Sequence, residues 1–314
     1  MQTLFMMVGL PGSGKSYHAN EALINDDGNT EIVSSDEIRK ELFEDENDQT
    51  HNNEVFNEVH SRIKKLFVAG KNVVYDATNL SRKRRRAFLN TIPKEIRKVA
   101  ILMCTELDVC LKQNAQRERK VPEEVIMRML KHMTVPTTEE GFEAVYYTRH
   151  PYNKNKALDY FLKTVGMDQD NPNHTLTLSE HMEKAYQRVV ELTMYMDLSD
   201  TDRKILNMAT LYHDIGKPIC KTYETFSGKI DDHAHYYNHA EVGAYLYLCG
   251  ELSNPYLSNM FTATDEEAIS VATLIQNHMR FFDENFKLDN FEKYNGKRFR
   301  ALLELLHQAD IEAH

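Results

Sequence analysis

Apolar residues in this chain follow two different rhythms. Up to residue 116, short apolar runs at 3–8, 31–34, 72–75 and 99–104 alternate with segments at 13–22, 36–43, 54–69, 82–89 and 108–116 of helical character. In 54–69, Val55, Val59, Ile63, Leu66 and Phe67 recur at the spacing of one helix face. A further helix is expected over 123–133, where Pro122 suits the first turn. Strands alternating with helices predict a parallel sheet flanked by helices, hence an α/β domain. The second half shows no such alternation. Segments 180–195, 202–213, 239–248, 266–278 and 296–311 all read as helices, so an all-α domain is expected. A polar, turn-rich stretch at 167–174 separates the two patterns. The expected organisation is one domain over 1–152, a linker over 153–173 and a second domain over 174–314.

Composition changes this picture little until charge is divided between the halves. The net charge of −10 argues against a bulk basic nucleic-acid binder. Residues 1–155 carry 23 basic and 23 acidic side chains, whereas 156–314 carry 15 and 25. The second half also holds nine of the 14 histidines, so acidic groups and imidazoles concentrate where a divalent metal would need them. An acidic solvated surface has the same composition, so position must decide. No apolar run reaches membrane-spanning length, and residues 1–8 read as a buried first strand rather than a signal peptide. Cys104, Cys110, Cys220 and Cys249 have no paired spacing, which fits core positions in a reducing cytoplasm.

Four elements in the first half carry candidate chemistry. Gly9, Gly12, Ser13, Gly14, Lys15 and Ser16 lie in a G-x-x-x-x-G-K-S loop between a predicted strand and a predicted helix. Its backbone N–H groups and the helix N-terminus would cradle the phosphates of ATP. Lys15 would reach the β/γ-phosphates and Ser16 would hold Mg²⁺. Asp36 follows the second predicted strand and reads either as a helix N-cap or as a base for an attacking hydroxyl. Arg39, three residues on, could hold an anionic group of the acceptor. Asp76-Ala77-Thr78-Asn79 ends the third strand, as a capped turn or as polar groups beside the phosphates. The basic run Arg82 to Arg86 reads as a solvated helix face or as a surface for a polyanionic acceptor. Arg117 and Arg119 precede a helix and could neutralise charge on a transferring phosphoryl group.

These elements, with Val121-Pro122-Glu123-Glu124-Val125-Ile126 and Glu140-Gly141-Phe142, resemble the polynucleotide 5′-kinases that heal broken RNA or DNA ends. The resemblance covers about residues 1–150. It implies that Asp36 is the general base for a 5′-hydroxyl, that Arg39 contacts an acceptor phosphate, and that Arg117 or Arg119 is the lid arginine.

In the second half, His181, His213-Asp214 and Asp310 sit on separate predicted helices. Imidazole and carboxylate together suit a transition metal, which would acidify a bound water and polarise a phosphoryl oxygen. His174, His239 and His278 could add a second metal or touch the scissile phosphate. Asp214 is the natural bridge between two ions, and Lys217 could bind phosphate. His233, His235 and His307 read as ordinary surface or core histidines. Leu211-Tyr212-His213-Asp214-Ile215-Gly216-Lys217, His239-Ala240-Glu241-Val242-Gly243-Ala244 and the Ile275/His278 pair closely resemble the HD-superfamily phosphohydrolases. That resemblance spans about 174–314. It implies His181, His213, Asp214 and Asp310 as metal ligands, with Mn, Ni, Co or Fe as the divalent ion.

Joined, the two modules resemble bifunctional RNA end-healing enzymes. The expected activities are ATP- and Mg²⁺-dependent phosphorylation of 5′-OH ends and metal-dependent removal of 2′,3′-cyclic phosphate or 2′-phosphate. The expected partners are nucleic-acid ends, RNA ahead of DNA, and an RNA ligase acting on the products; no membrane is expected. One rival is a nucleoside or other small-molecule kinase fused to a nucleotidase. Another is a nucleotide-gated regulatory protein with a degenerate HD fold, against which the full ligand ladder argues.

Overall fold

A computed structural model describes residues 1–23, 29–45, 50–149, 156–172, 174–250 and 264–313. The chain forms two compact units, Met1–Met129 with Pro136–His150, and Leu130–Val135 with Pro151–His314.

The first unit is built on a five-stranded sheet in the order β2-β3-β1-β4-β5, from β1 (Thr3–Val8), β2 (Thr30–Ser34), β3 (Asn72–Asp76), β4 (Arg97–Cys104) and β5 (Ala144–Arg149). All pairings are parallel. A parallel sheet covered on both faces needs strands apolar on both sides, which is why β1 and β4 are nearly continuous apolar runs. Met7, Val74, Val99, Ile101 and Met103 form one buried cluster with Ala19. Between strands run α1 (Lys15–His18), α2 (Ser35–Phe43), α3 (Asn52–Val68), α4 (Arg82–Leu89), α5 (Leu107–Gln116) and α6 (Glu123–Lys131). α1 continues into a π-helical turn at Ala19–Leu23. Val55, Val59, Ile63 and Phe67 are the buried face of α3, as their spacing predicts.

The basic run on α4 is neither a plain solvated face nor a plain docking surface. Arg85 is fully buried, and its guanidinium donates to both carboxylate oxygens of Glu140 at 2.6 and 2.8 Å. It also donates to the carbonyls of Asn79 and Leu80 at 3.0 Å. Arg82 adds a contact to Glu140 at 3.3 Å, while Lys83 and Arg84 remain exposed.

The second unit is helical: α7 (Lys156–Leu162), α8 (Leu178–Thr193), α9 (Asp200–Tyr212), α10 (Lys217–Cys220), α11 (His239–Gly250), α12 (Asp265–Asn277) and α13 (Leu288–Ile311). Thr177 with Glu180, and Thr264 with Glu267, form capping boxes that start α8 and α12. α11 is buried along nearly its whole length, and α12 from Ala268 onward, which makes them central helices. Gly216 lets the turn into α10 approach α11, since a Cβ there would meet the His239 carbonyl oxygen at 2.1 Å. α13 is two helices joined at Gly296 (φ 84°, ψ 162°), so the expected helix over 296–311 is its second part. A short antiparallel hairpin, β6 (Thr222–Glu224) and β7 (Ile230–His235), adds to the helices. Its strands are too short and polar to carry a readable alternation. Among the described residues, no helix is long and apolar enough to cross a membrane.

Two candidate active sites

The phosphate loop leaves β1, the central strand, at Gly9 and enters α1 through Gly14 (φ 87°). Gly12 (φ 75°) can be no other residue: a Cβ would meet the Cys110 carbonyl oxygen at 2.2 Å. Thr105 braces the loop by donating to the Ser13 carbonyl at 2.8 Å. Lys15 is buried and its ammonium donates to the Leu10 carbonyl at 2.7 Å. Burial pushes the lysine pKa down, partly offset by the nearby Asp76 carboxylate.

The segment after β3 packs on this loop. Gly9 N–H donates to the Thr78 carbonyl at 3.0 Å, and the Asn79 amide donates to the Met7 carbonyl at 2.9 Å. Asp76, itself buried, accepts from the Ser16 hydroxyl at 2.7 Å. Of the two readings of Asp76, a capped turn or a polar group beside the phosphates, the contact with Ser16 favours the second. The readable signal was an aspartate directly after a buried strand.

Asp36 is not the N-cap of α2. Ser34 holds that position and its hydroxyl accepts from Glu37 N–H. The Asp36 carboxylate instead meets three guanidinium groups. Arg39 lies 3.1 Å away on the same helix, and buried Arg39 also donates to Asn52 at 2.8 Å. Arg119 ion-pairs with the same Asp36 oxygen, and Arg117 stands 4.0 Å from the other. The two arginines follow α5, about 80 positions away in sequence, so folding brings the whole predicted set together.

The second site is a buried cage of side chains. His181 comes from α8, His213 and Asp214 from the turn after α9, His239 from the start of α11, His278 from the end of α12 and Asp310 from α13. Their ligand atoms form two groups sharing Asp214: His181, His213 and Asp214, and Asp214, His239 and His278, each within 4.8 Å. One Asp214 oxygen faces His181 and His213 at 3.6 and 3.4 Å; the other faces His239 and His278 at 3.0 and 3.5 Å. Asp310 lies 3.0 Å from His181 and 3.4 Å from His213.

The donor set fits divalent metal. His213, His239 and His278 each place Nδ1 2.7–2.8 Å from a backbone carbonyl, which fixes the proton on Nδ1. The Nε2 lone pairs of these three rings therefore turn into the cage, where Nε2 of His213 lies 3.2 Å from Nε2 of His181 and Nε2 of His239 lies 3.1 Å from that of His278. Lone pairs aimed at one another and at carboxylates repel unless a cation or proton lies among them. Burial opposes charge on His213, but Asp214 and Asp310 outweigh it and raise the imidazole to about 10. Burial also opposes charge on Asp214, yet Lys217 and then His213 hold it well below the usual carboxylate range. His278 is lowered, chiefly by burial.

Lys217 donates to Asp214 at 2.7 Å and to the Gln169 side-chain oxygen at 2.8 Å. Gln169, which no sequence pattern marks, thus orients it. The ring of His174 is 6.0 Å from that of His181. A cavity of about 680 Å³ opens over the cage, lined by His174, His181, Asp214, Lys217 and Asp310, among others.

Comparison with known proteins gives the same division. An AAA domain model of the P-loop kinase-like type matches residues 4–136, and an HD domain model matches residues 178–312. The chain joins a P-loop AAA domain to an HD domain. P-loop kinases of this type use a nucleotide with Mg²⁺, and HD domains bind divalent metal. Among solved structures, one of a Pnkp1/Rnl/Hen1 complex is 23% identical over 38% of this chain and 41% of its own, with a TM-score of 0.34. Another, of the Pnkp1/Rnl/Hen1 RNA repair complex, is 22% identical over 41% of this chain and 42% of its own, with a TM-score of 0.37. The chain therefore spans about two-fifths of the length of either.

Proposed function

We propose that this AAA–HD chain heals nucleic-acid ends, with a kinase in residues 1–152 and a phosphohydrolase in 174–314. The kinase transfers the γ-phosphoryl group of ATP to a 5′-hydroxyl, on RNA ahead of DNA. The phosphohydrolase opens a 2′,3′-cyclic phosphate or removes a 2′-phosphate, leaving ends that a separate RNA ligase can join. The observation that carries this reading is the pairing, in one chain, of the Asp36 carboxylate among three arginines with a buried cage of six His and Asp side chains.

In the kinase, backbone N–H groups of Gly9 to Ser16 hold the phosphates and Lys15 swings from the Leu10 carbonyl onto them. Ser16 and Asp76 form the corner for Mg²⁺, which would neutralise charge between the β- and γ-phosphates. Asp36 takes the proton of the 5′-hydroxyl. Arg39, steadied by Asn52, holds an acceptor phosphate, and Arg117 and Arg119 transfer from Asp36 to the phosphoryl group as substrates enter. In the other site, His181, His213, Asp214 and Asp310 would hold one divalent ion, and Asp214, His239 and His278 would hold a second. When bound, the metals supply an activated water and polarise the phosphoryl oxygens. Lys217 and His174 steady the phosphate in the cavity over the cage.

One observation favours the rival small-molecule kinase fused to a nucleotidase. Arg85 and Arg82 bind Glu140 internally, so the basic run offers a polymer less charge than its sequence implies. The deciding experiment incubates the protein with RNA bearing a 5′-OH and a 2′,3′-cyclic phosphate, ATP, and Mn²⁺, Ni²⁺, Co²⁺ or Fe²⁺, and maps both ends. A 5′-phosphate and an opened 3′ end are expected. Phosphorylation of free nucleosides but not of the oligonucleotide would establish the rival.

A further inference from the structure

The cavity over the HD cage is much larger than a phosphate requires. Its volume of about 680 Å³ lies inside the roughly 300–1,000 Å³ of pockets that take whole small molecules. Its outer wall comes from the β6–β7 hairpin and the residues that lead from it into α11. Side chains here alternate between two faces. Ala234 and Tyr236 turn inward: Ala234 is buried and donates its N–H to the Asp170 carbonyl at 2.8 Å, and the Tyr236 hydroxyl donates to the Gln169 carbonyl at 2.6 Å. The ammonium of Lys217 lies 5.5 Å from the Tyr236 ring centroid. These contacts pin the hairpin to the loop that also orients Lys217.

His235 and Tyr237, two residues apart, lie on the other face. Their rings are stacked, with centroids 5.3 Å apart and planes within 9°. The Asp231 carboxylate lies 3.0 Å from His235 Nε2, within hydrogen-bond distance, and fixes the ring. Phe226, at the hairpin tip, meets Tyr237 edge-on at 5.3 Å yet is 88% exposed. With the outermost ring so open to water, Phe226 gains little from burial in the hairpin. Ala234 and Tyr236 as well as His235 and Tyr237 line the cavity over the cage, and Arg280 lines it too.

We propose that this aromatic wall holds the base of the nucleotide whose phosphate sits at the cage, so that the HD site takes nucleosidic phosphates in preference to bare ones. Tyr237 and His235 stack on the base and Arg280 faces the sugar-phosphate edge. Stacking accepts any base, as a site acting on ends of arbitrary sequence requires. The proposal rests on the phosphohydrolase reading of this cavity. It gives His235 a role that its sequence context did not suggest.

The test compares adenosine 2′,3′-cyclic phosphate with glycerol 1,2-cyclic phosphate, which has the same reacting group and no base. Tyr237→Ala is expected to raise KM for the nucleoside about tenfold, the scale of one stacked base, with kcat within twofold. Tyr237→Phe should restore wild-type KM, and neither variant should alter the glycerol reaction. Equal effects on both substrates, or none on either, overturn the base wall. Calorimetric titration of adenosine 2′-monophosphate and glycerol 2-phosphate, in a Lys15→Ala background that removes the P-loop contribution, repeats the comparison without turnover. Binding that depends on Tyr237 in a protein that hydrolyses neither cyclic phosphate would keep the base wall and sink the phosphohydrolase reading. Nucleotide binding indifferent to Tyr237 would sink the base wall alone.

Discussion

The two sites are assembled from different materials. The P-loop site is mostly backbone and long side chains: a glycine loop, a partly exposed Asp36, and arginines on the segment after α5. The HD cage is side chains alone, drawn from five helices and their ends and almost wholly buried. A site of backbone N–H groups and mobile arginines can close around a substrate and tolerate small displacements. A cage of convergent lone pairs has its geometry set by helix packing, and each ligand supports the others. The P-loop half should therefore lose activity residue by residue, and the HD half should fail as a unit.

Asp214→Ala gives the largest expected effect. Asp214 is the one ligand common to both groups, so its removal opens both at once. Hydrolysis should fall by about 10⁴ or more, by analogy with other catalytic groups that act as a unit, while 5′-phosphorylation stays within twofold. Metal content by elemental analysis should fall with it. Loss of kinase activity in the folded variant would break the two-site comparison. Asp36→Asn is next. It keeps the shape and removes the base, for an expected loss of about 10²–10⁴ in kcat of the kinase with hydrolysis unchanged. An Asp36→Asn enzyme that phosphorylated normally would show that Asp36 merely parks the arginines.

Arg85→Ala tests packing rather than chemistry. It leaves Glu140 buried and charged without its bidentate partner, which costs about 3–5 kcal/mol. Calorimetry should place the loss in the transition that ATP stabilises. The double variant Arg85→Met/Glu140→Leu, which removes both charges, should recover much of it. A single variant as stable as wild type would show that Arg82 alone compensates.

How legible each half was in the sequence follows from the same contrast. The P-loop could be read because its glycines answer local needs: Gly12 must clear the Cys110 carbonyl, and Gly14 must adopt a positive φ. The central strands could be read because burial on both faces makes them continuous apolar runs. β5 went unread, although Val145, Tyr146, Tyr147 and Thr148 are good strand formers, because this edge strand is a short run beside polar residues. The cage ligands announced themselves by residue type. Gln169 did not, because its contact is with Lys217, a neighbour distant in sequence. The fate of Arg85 could not be read at all: five consecutive basic residues look alike until the helix turns two of them, Arg82 and Arg85, onto Glu140.

The smallest expected effect concerns a histidine outside either site. His60 on α3 stacks on Phe88 at 4.2 Å and meets Tyr75 edge-on at 6.0 Å. Burial, with a smaller push from Lys64, lowers its pKa from 6.5 to about 4. The folded domain thus refuses a proton that the unfolded chain accepts below pH 6.5. Stability from this group is complete above pH 6.5 and declines as pH falls toward 4, where the folded ring also titrates. The full shift corresponds to about 3 kcal/mol, but the ring is only partly buried, and solvent screening reduces the expected loss to about 1–2 kcal/mol. His60→Phe keeps the stack on Phe88 and removes the proton site. Its ATP-sensitive transition should fall less steeply between pH 6.5 and 4 than that of the wild type. Equal slopes would mean that His60 reaches water in the folded state, and would place the acid sensitivity of this domain among its carboxylates instead.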